Sequence, residues 1–353
     1  MLNRLGARKA RTVTLSVTGA LLVVMVACLL LMSVPYARLS PGPATDTLGE
    51  VNGKPLIVIT GRQTYPHSGK LDLTTVAISN PGHHMSLFEA IQGWLQSDVA
   101  VVPRNSVYPD DVSAAEIETR NTQEMALSQQ HATAAALKEL KIPVTSHVVV
   151  AALTDGTPAF GKLQVADRIL KIDGTPVTAP QQVVDLVRKH KPGEQVVFVV
   201  NRKGQKITQT LTTAPNPDDA TIPFVGITPD VAYDFPFTVK IELDDVGGPS
   251  AGMMFALGII VQLTPDDITG GRHVAGTGTI DDDGTVGKIG GIQMKILGAR
   301  KAGATVFLVP ADNCREANAN APKGIQLVKV ATLADAVNAL TAIRSGTGAV
   351  PHC

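Results

Sequence analysis

The 353-residue sequence has no excess charge of either sign, since 31 Lys and Arg balance 31 Asp and Glu. It therefore lacks the electrostatic footprint of a nucleic-acid binder or of a protein that seeks an acidic surface. Charged residues make up only 18% of the chain, below the usual quarter, partly because one segment is purely apolar. Cysteine is scarce, at three residues. His83, His84 and His131 have no cysteine or second carboxylate at ligand spacing, so they read as surface or packing residues and no metal is expected. No internal repeat or long low-complexity tract occurs, and the length suggests two or three domains. A nucleotide loop is missing too. Gly156-Thr-Pro-Ala-Phe-Gly161-Lys162-Leu163 nearly spells one, but Leu163 cannot ligate magnesium and Pro158 suits a turn. No cofactor is expected.

What the sequence does contain begins at the amino terminus. Residues 13–34 form a run of 22 without a charge, rich in Leu, Val and Met, long enough to cross a bilayer core as a helix. Arg4, Arg8, Lys9 and Arg11 precede it, so the positive-inside rule assigns residues 1–12 to the cytoplasm and everything after Ser33 to the outside. A cleaved signal peptide is the competing reading, but its apolar core is usually about 7–15 residues. The expectation is a single-pass protein of the cell membrane with the lipid bilayer as a partner. Cys28 lies inside the span.

Residues 35–50, polar with Pro and Gly, read as a linker. Residues 51–143 read as an extracytoplasmic region with strands at 55–60 and 70–79 joined by a turn-rich stretch. Helices are expected at 86–96 and 113–140, with Met125, Ala132, Ala136 and Leu140 on a buried stripe. In residues 144–215, strand-like 148–151 precedes a Gly-Pro turn. Asp167-Arg-Ile-Leu-Lys-Ile-Asp-Gly174 follows, then a helix near 181–190 and strands at 195–201 and 206–212. This order resembles a PDZ domain, a small β-barrel-like fold with helices. The resemblance implies a peptide groove between the strand carrying His147 and Val149 and the helix carrying Val183, Val184 and Val187. Equally, any of these valines is ordinary core.

Residues 216–344 alternate between strand and helix signals, and 345–353 read as a frayed tail. The informative stretch is Asp244-Asp-Val-Gly-Gly-Pro-Ser-Ala-Gly-Met-Met-Phe-Ala-Leu-Gly258, where Gly247, Gly248 and Pro249 make a turn and Ser250 stands near a helix start. There it is a plain N-cap, part of an anion cradle, or a nucleophile flanked by free backbone N–H groups around Gly248 and Ala251. Downstream, Gly290 and Gly291 precede a second helix that puts Lys295 among Ile292, Met294, Ile296 and Leu297. A lysine among apolar neighbours loses its charge more readily and can act as a base. His273 with Asp244 or Asp245 is a weaker alternative base, and Lys288 and Lys301 lack the Gly-Gly-x-x-x-Lys placement. Asp281-Asp-Asp-Gly284 reads as a hairpin turn. Cys314 and Cys353 read as two separate thiols, because Cys353 ends a loose tail.

Gly-Pro-Ser-Ala-Gly followed by Gly-Gly-x-x-x-Lys resembles the proteolytic domain of the Lon family, over about residues 223–340. The resemblance implies a Ser–Lys dyad of Ser250 and Lys295, 45 residues apart, with Thr277 contacting the lysine. It departs from the pattern at Gly247, where many members carry an acid, and at Thr279, which replaces the glutamate of Thr-Gly-Glu. Gly-Gly-Pro-Ser looks most like the membrane-anchored, ATP-independent subgroup with a PDZ domain. The implied whole is an α+β, α/β multidomain protein: a transmembrane helix, a PDZ domain and a C-terminal Lon-type domain outside the cytoplasm. It would cut polypeptide substrates and assemble as a homo-oligomer, in the family a hexameric ring. The rival is an inert PDZ binding scaffold or chaperone.

Overall fold

The computed structural model describes residues 2–108, 112–243, 246–319 and 321–353, with side chains from residue 13 onward. Asp244 and Asp245, the expected partners of His273, lie outside the described residues, as does Asn320 at the end of a helix expected near 315–320. The chain divides into two units: Pro143–Pro236 form one, and the chain up to Ile142 joins Phe237–Cys353 to form the other.

In chain order the larger unit opens with α1 (Leu2–Leu31), whose Val13–Leu31 stretch has a mean hydropathy of 2.5 and no buried residues. At about 1.5 Å per residue these 19 residues are long enough to cross a bilayer core. The helix stops three residues short of Val34. There the chain pairs instead with the segment before α2: the Val34 N–H donates to Met85 O at 2.8 Å and Ser33 bridges Ser86.

Next come β1 (Tyr36–Asp46), β2 (Ile57–Thr60), β3 (Lys70–Ile78), α2 (Leu87–Leu95), β4 (Ala100–Pro103) and α3 (Ala114–Glu139). β1 overturns the linker expected at 35–50. Its Pro41-Gly42-Pro43 is absorbed by a bulge between Pro41 and Ala44, where prolines need not donate to the ladder. The two strands expected before α2 do not pair with each other. α2 and α3 both start at capping boxes, Ser86 with Glu89 and Ser113 with Glu116. Met125, Ala132 and Ala136 are buried on α3.

The smaller unit contains β5 (Thr145–Leu153), β6 (Arg168–Ile172), α4 (Pro180–Val187), β7 (Gln195–Arg202), β8 (Gln205–Thr212) and β9 (Ile227–Asp234), with strand order β8-β7-β6-β5-β9. Its core gathers Val148, Val150, Leu163, Ile169, Phe198 and Leu211. The Arg202 guanidinium grips buried Asp167 with two bonds of 2.7 Å. The expected end at 215 is too early, because β9 pairs along the whole of β5 and belongs to this sheet.

The chain then returns to the larger unit with β10 (Thr238–Ile241), α5 (Gly252–Leu263), β11 (His273–Gly276), β12 (Thr279–Ile280) and β13 (Val286–Gly287). It continues through α6 (Ile292–Ala302), β14 (Val306–Pro310), α7 (Cys314–Ala319), β15 (Gln326–Val330) and α8 (Leu333–Ser345). β12 and β13 form the hairpin around Asp281–Gly284. The main sheet runs β15-β14-β11-β3-β1-β4, parallel from β15 to β3 and antiparallel beyond, while β10 pairs with β2. Residues 216–344 are therefore no self-contained domain, and 51–143 no separate region. β11 needs β3 on its outer edge. α5 is apolar on all sides and buried from Gly252 to Val261, so it needs cover from several directions. α3 supplies part of it, so closely that a Cβ on Gly252 would come 2.7 Å from Ser128 Oγ.

The tail is not frayed, and the cysteines are not separate thiols. The Lys329 N–H donates to Pro351 O at 3.0 Å, His352 bridges Val328, and Cys353 forms a disulfide with Cys314. β15 lays the tail beside α7, a proximity that two cysteines 39 residues apart cannot reveal.

Candidate active site

Ser250 ends the turn before α5. It does not cap the helix: Ala251 occupies the cap position, and no side chain caps it. Gly248 adopts φ +85°, open to glycine at no steric cost, and its N–H donates to Asn121 O at 3.1 Å. Ser128 Oγ donates to Pro249 O at 3.0 Å. Two residues of α3 thus hold the turn. The Gly248 N–H, expected among the oxyanion donors, is already spent, whereas no described residue accepts the N–H of Ser250 or Ala251.

Lys295 projects from the first turn of α6. Gly291, at φ +68°, starts that helix so close to β3 that a Cβ would come 2.8 Å from Val76 Cγ2. The lysine is 3% exposed, and burial pushes its amine from 10.5 down to about 8. Its position near a helix N-terminus disfavours positive charge further. Its Nζ lies 2.7 Å from Ser250 Oγ and 2.9 Å from Thr277 Oγ1.

Thr277 is fully buried just past β11. Its hydroxyl donates to Ser250 O at 2.9 Å, and the Gly278 N–H donates to the same carbonyl, also at 2.9 Å. With its one proton committed, Thr277 Oγ1 can only accept from Lys295. The amine is thereby aimed at Ser250. With an amine pKa of about 8, roughly one lysine in ten is neutral at pH 7, against about one in three thousand at 10.5. In the neutral form one N–H still serves Thr277, and the lone pair can accept the Ser250 hydroxyl proton across the 2.7 Å contact.

A cavity of about 730 Å³ passes Ser250 and Lys295, walled by residues 74–78 of β3 and by Gly247, Gly248 and Gly290. β11 pairs with β3 only as far as Gly276 opposite Leu73, so beyond Leu73 that edge of β3 has no strand partner among the described residues. Nothing in the residues of β3 marks them as lining a site.

Two of the rival bases are engaged elsewhere, and the third faces solvent. His273 Nε2 lies 2.6 Å from Asp72 Oδ2, and burial raises that carboxyl despite the imidazole beside it. Lys301 pairs with Asp98 at 2.7 Å and Lys288 is exposed. Among the described residues no cluster could hold a metal ion. Lys162, of the near phosphate loop, donates to Thr210 O at 3.1 Å.

In the smaller unit, His147 and Val149 do not border an open groove. β5 has β9 along one edge, with Ala232 opposite His147 and Asp230 opposite Val149. β9 is the edge strand, and a cavity of about 200 Å³ separates it from α4, lined by Val183, Val184, Val187, Phe224, Gly226 and Ile227. Val183 and Val187 face this cavity and the core alike. The signal for β9 was available: residues 227–233 alternate weakly and follow a Phe-Val-Gly turn.

Comparison with known proteins gives two family matches. Residues 124–213 match the PDZ domain model and residues 245–342 match that of the Lon protease (S16) C-terminal proteolytic domain. Neither match includes β1 to β4. Lon protease 1 of Bacillus subtilis is 27% identical over 157 residues, which are 44% of this chain and 20% of that protein. Lon protease 2 of Herpetosiphon aurantiacus is 46% identical over 69 residues, 20% of this chain and 8% of that protein. The matched part thus spans a fifth or less of either relative's length. Among solved structures, the PDZ domain of the SdrC-like protein from Listeria innocua aligns at 23% identity, covering 23% of this chain and 90% of that one, with a TM-score of 0.21.

Proposed function

The chain carries a PDZ domain and a Lon-type proteolytic domain, and from that premise we propose that it is an ATP-independent serine endopeptidase anchored in a membrane by α1. It acts outside the cytoplasm on unfolded or exposed peptide segments. The observation that carries this reading is the 2.7 Å contact between a buried, easily neutralised Lys295 and Ser250.

In this reading, neutral Lys295 takes the Ser250 hydroxyl proton as Oγ attacks a peptide carbonyl. The tetrahedral oxyanion is met by the backbone N–H of Ala251, which no described residue accepts. The lysine ammonium passes its proton to the departing amine, which breaks the C–N bond and leaves an acyl ester on Ser250. Neutral again, Lys295 deprotonates a water that attacks the ester carbonyl, and its ammonium then returns the proton to Ser250 Oγ as the acyl C–O bond breaks and the carboxylic acid product leaves. Thr277 positions the amine throughout. The open edge of β3 beside the cavity suits a substrate added as an extended strand, and the groove between α4 and β9 suits a second stretch of peptide. A disulfide and a span preceded by Arg and Lys both agree with an extracytoplasmic body. By family resemblance the working form is a homo-oligomer.

The test uses the full chain in detergent micelles with a labelled unfolded protein. Turnover should vanish in Ser250→Ala and in Lys295→Ala. Equal behaviour of wild type and Ser250→Ala would leave the inert PDZ scaffold.

A further inference from the structure

Helix α2 has its amphipathic faces reversed from those of a soluble protein. Phe88, Ile91, Trp94 and Leu95 are 48%, 38%, 55% and 83% exposed. At about 100° per residue they fall, with Leu87, in one arc of about 120°. The face turned to the body is made of small residues, Ala90 and Gly93, and a Cβ on Gly93 would come 2.5 Å from Val101 Cγ2. Large apolar side chains outward and small ones inward is the arrangement of a helix whose second partner is missing from the fold.

The location of α2 says what that partner is. Its Leu87 N–H donates to Met32 O at 2.9 Å, and Ser33 bridges Ser86, so α2 starts where α1 ends. Leu30, Leu31 and Met32 are exposed as well, so the apolar end of α1 adjoins the apolar arc of α2. Tyr36, five residues beyond α1, stands edge-on to Trp94 with ring centroids 5.6 Å apart. Tyrosine and tryptophan concentrate where hydrocarbon meets water. The rim is polar: Arg38 donates to Gln96 Oε1 at 3.1 Å, and His83 faces Glu89 at 3.3 Å. A protein partner on this face would have to occupy the bilayer surface at the same time.

We propose that α2 is an interfacial helix. It lies in the leaflet from which α1 emerges, with Phe88, Ile91, Trp94 and Leu95 among the upper acyl chains, and so sets the height of the Ser250 cavity over the bilayer. The inference rests on the reading of α1 as a membrane span.

Trp94 is the only tryptophan in the chain and reports on the helix directly. The full chain is reconstituted into phosphatidylcholine vesicles, with lipids brominated near the glycerol end of the acyl chain as one quencher and aqueous iodide as the other. Retention of the chain after carbonate extraction reads α1 separately. The expected result is blue-shifted Trp94 emission, strongly quenched by the brominated lipid and hardly by iodide. In the variant Phe88→Ser/Ile91→Ser/Leu95→Ser, emission should shift red and lipid quenching fall several-fold, with carbonate resistance unchanged. A carbonate-resistant chain whose Trp94 is quenched by iodide and not by lipid overturns the proposal and leaves the span standing. Blue emission quenched by neither also overturns it, and points to a second copy of the chain on this face. An extractable chain removes the span and, with it, the leaflet assigned to α2, whatever Trp94 reports.

Discussion

Lys295→Met should end turnover and, at neutral pH, make the fold more stable. The side chain is 3% exposed and its amine falls from 10.5 to about 8 through burial. At about 1.4 kcal/mol per pH unit, that difference means the charged lysine costs the folded state about 3 kcal/mol near pH 7. Methionine keeps the unbranched shape without a charge, and replacing buried charges by apolar groups is often stabilising. Two hydrogen bonds, to Ser250 and Thr277, are lost at roughly 1 kcal/mol each, so the net gain should be about 1–2 kcal/mol. Thr277 keeps its own bond to Ser250 O at 2.9 Å, so no buried donor is stranded there. The sign with pH is decisive. Because the folded amine pKa lies below the unfolded one, the unfolded chain binds more protons between about 8 and 10.5. Wild type therefore gains on the variant across that window, and the variant's advantage should shrink and then reverse. Urea unfolding of wild type, Ser250→Ala and Lys295→Met through this pH range measures it. A variant less stable than wild type by one constant amount at every pH would refute the claim that Lys295 is held short of water.

Three further outcomes are expected. In wild type kcat/KM should climb about tenfold from pH 7 to above 9, with a midpoint near 8 set by the free-enzyme amine; a midpoint near 10 would mean a solvated lysine. Gly291→Ala puts a Cβ at φ +68° against Val76, costing about 1–2 kcal/mol in urea unfolding. By shifting Lys295 it should lower kcat about 10–100-fold with little change in KM. Cys353→Ser should lose about 2–4 kcal/mol of stability in the larger unit, and reductant should do the same to wild type and nothing to the variant.

Much of the site was legible because its signals are short. Glycine pairs before Ser250 and before Lys295 marked two tight turns, and a lysine among Ile292, Met294 and Ile296 announced a dry amine. Gly248 shows where such reading fails. Its conformation was plain from its type, but its N–H goes to Asn121, which lies in a helix that the sequence reading assigned to another region. The groove of the smaller unit went wrong for a related reason. His147 and Val149 look like an edge until β9, some eighty residues on, pairs with β5 and takes over that role. Pro41-Gly42-Pro43 looked like a linker because a proline-bearing strand is tolerated only where a bulge spares its missing N–H, and a bulge depends on the partner strand.

Short-range physics needed no coordinates. The hydropathy of α1, the capping boxes of α2 and α3 and the turn before α5 each depend on residues within a few positions of one another. Tertiary structure decided whatever depends on groups far apart in the chain: β3 beside β11, Asn121 on Gly248, Cys314 bonded to Cys353, and the depth at which Lys295 is buried. Strand pairing and desolvation are set by whatever surrounds a group in space, and here the surroundings of Ser250 come from both ends of the chain, with the smaller unit inserted between them.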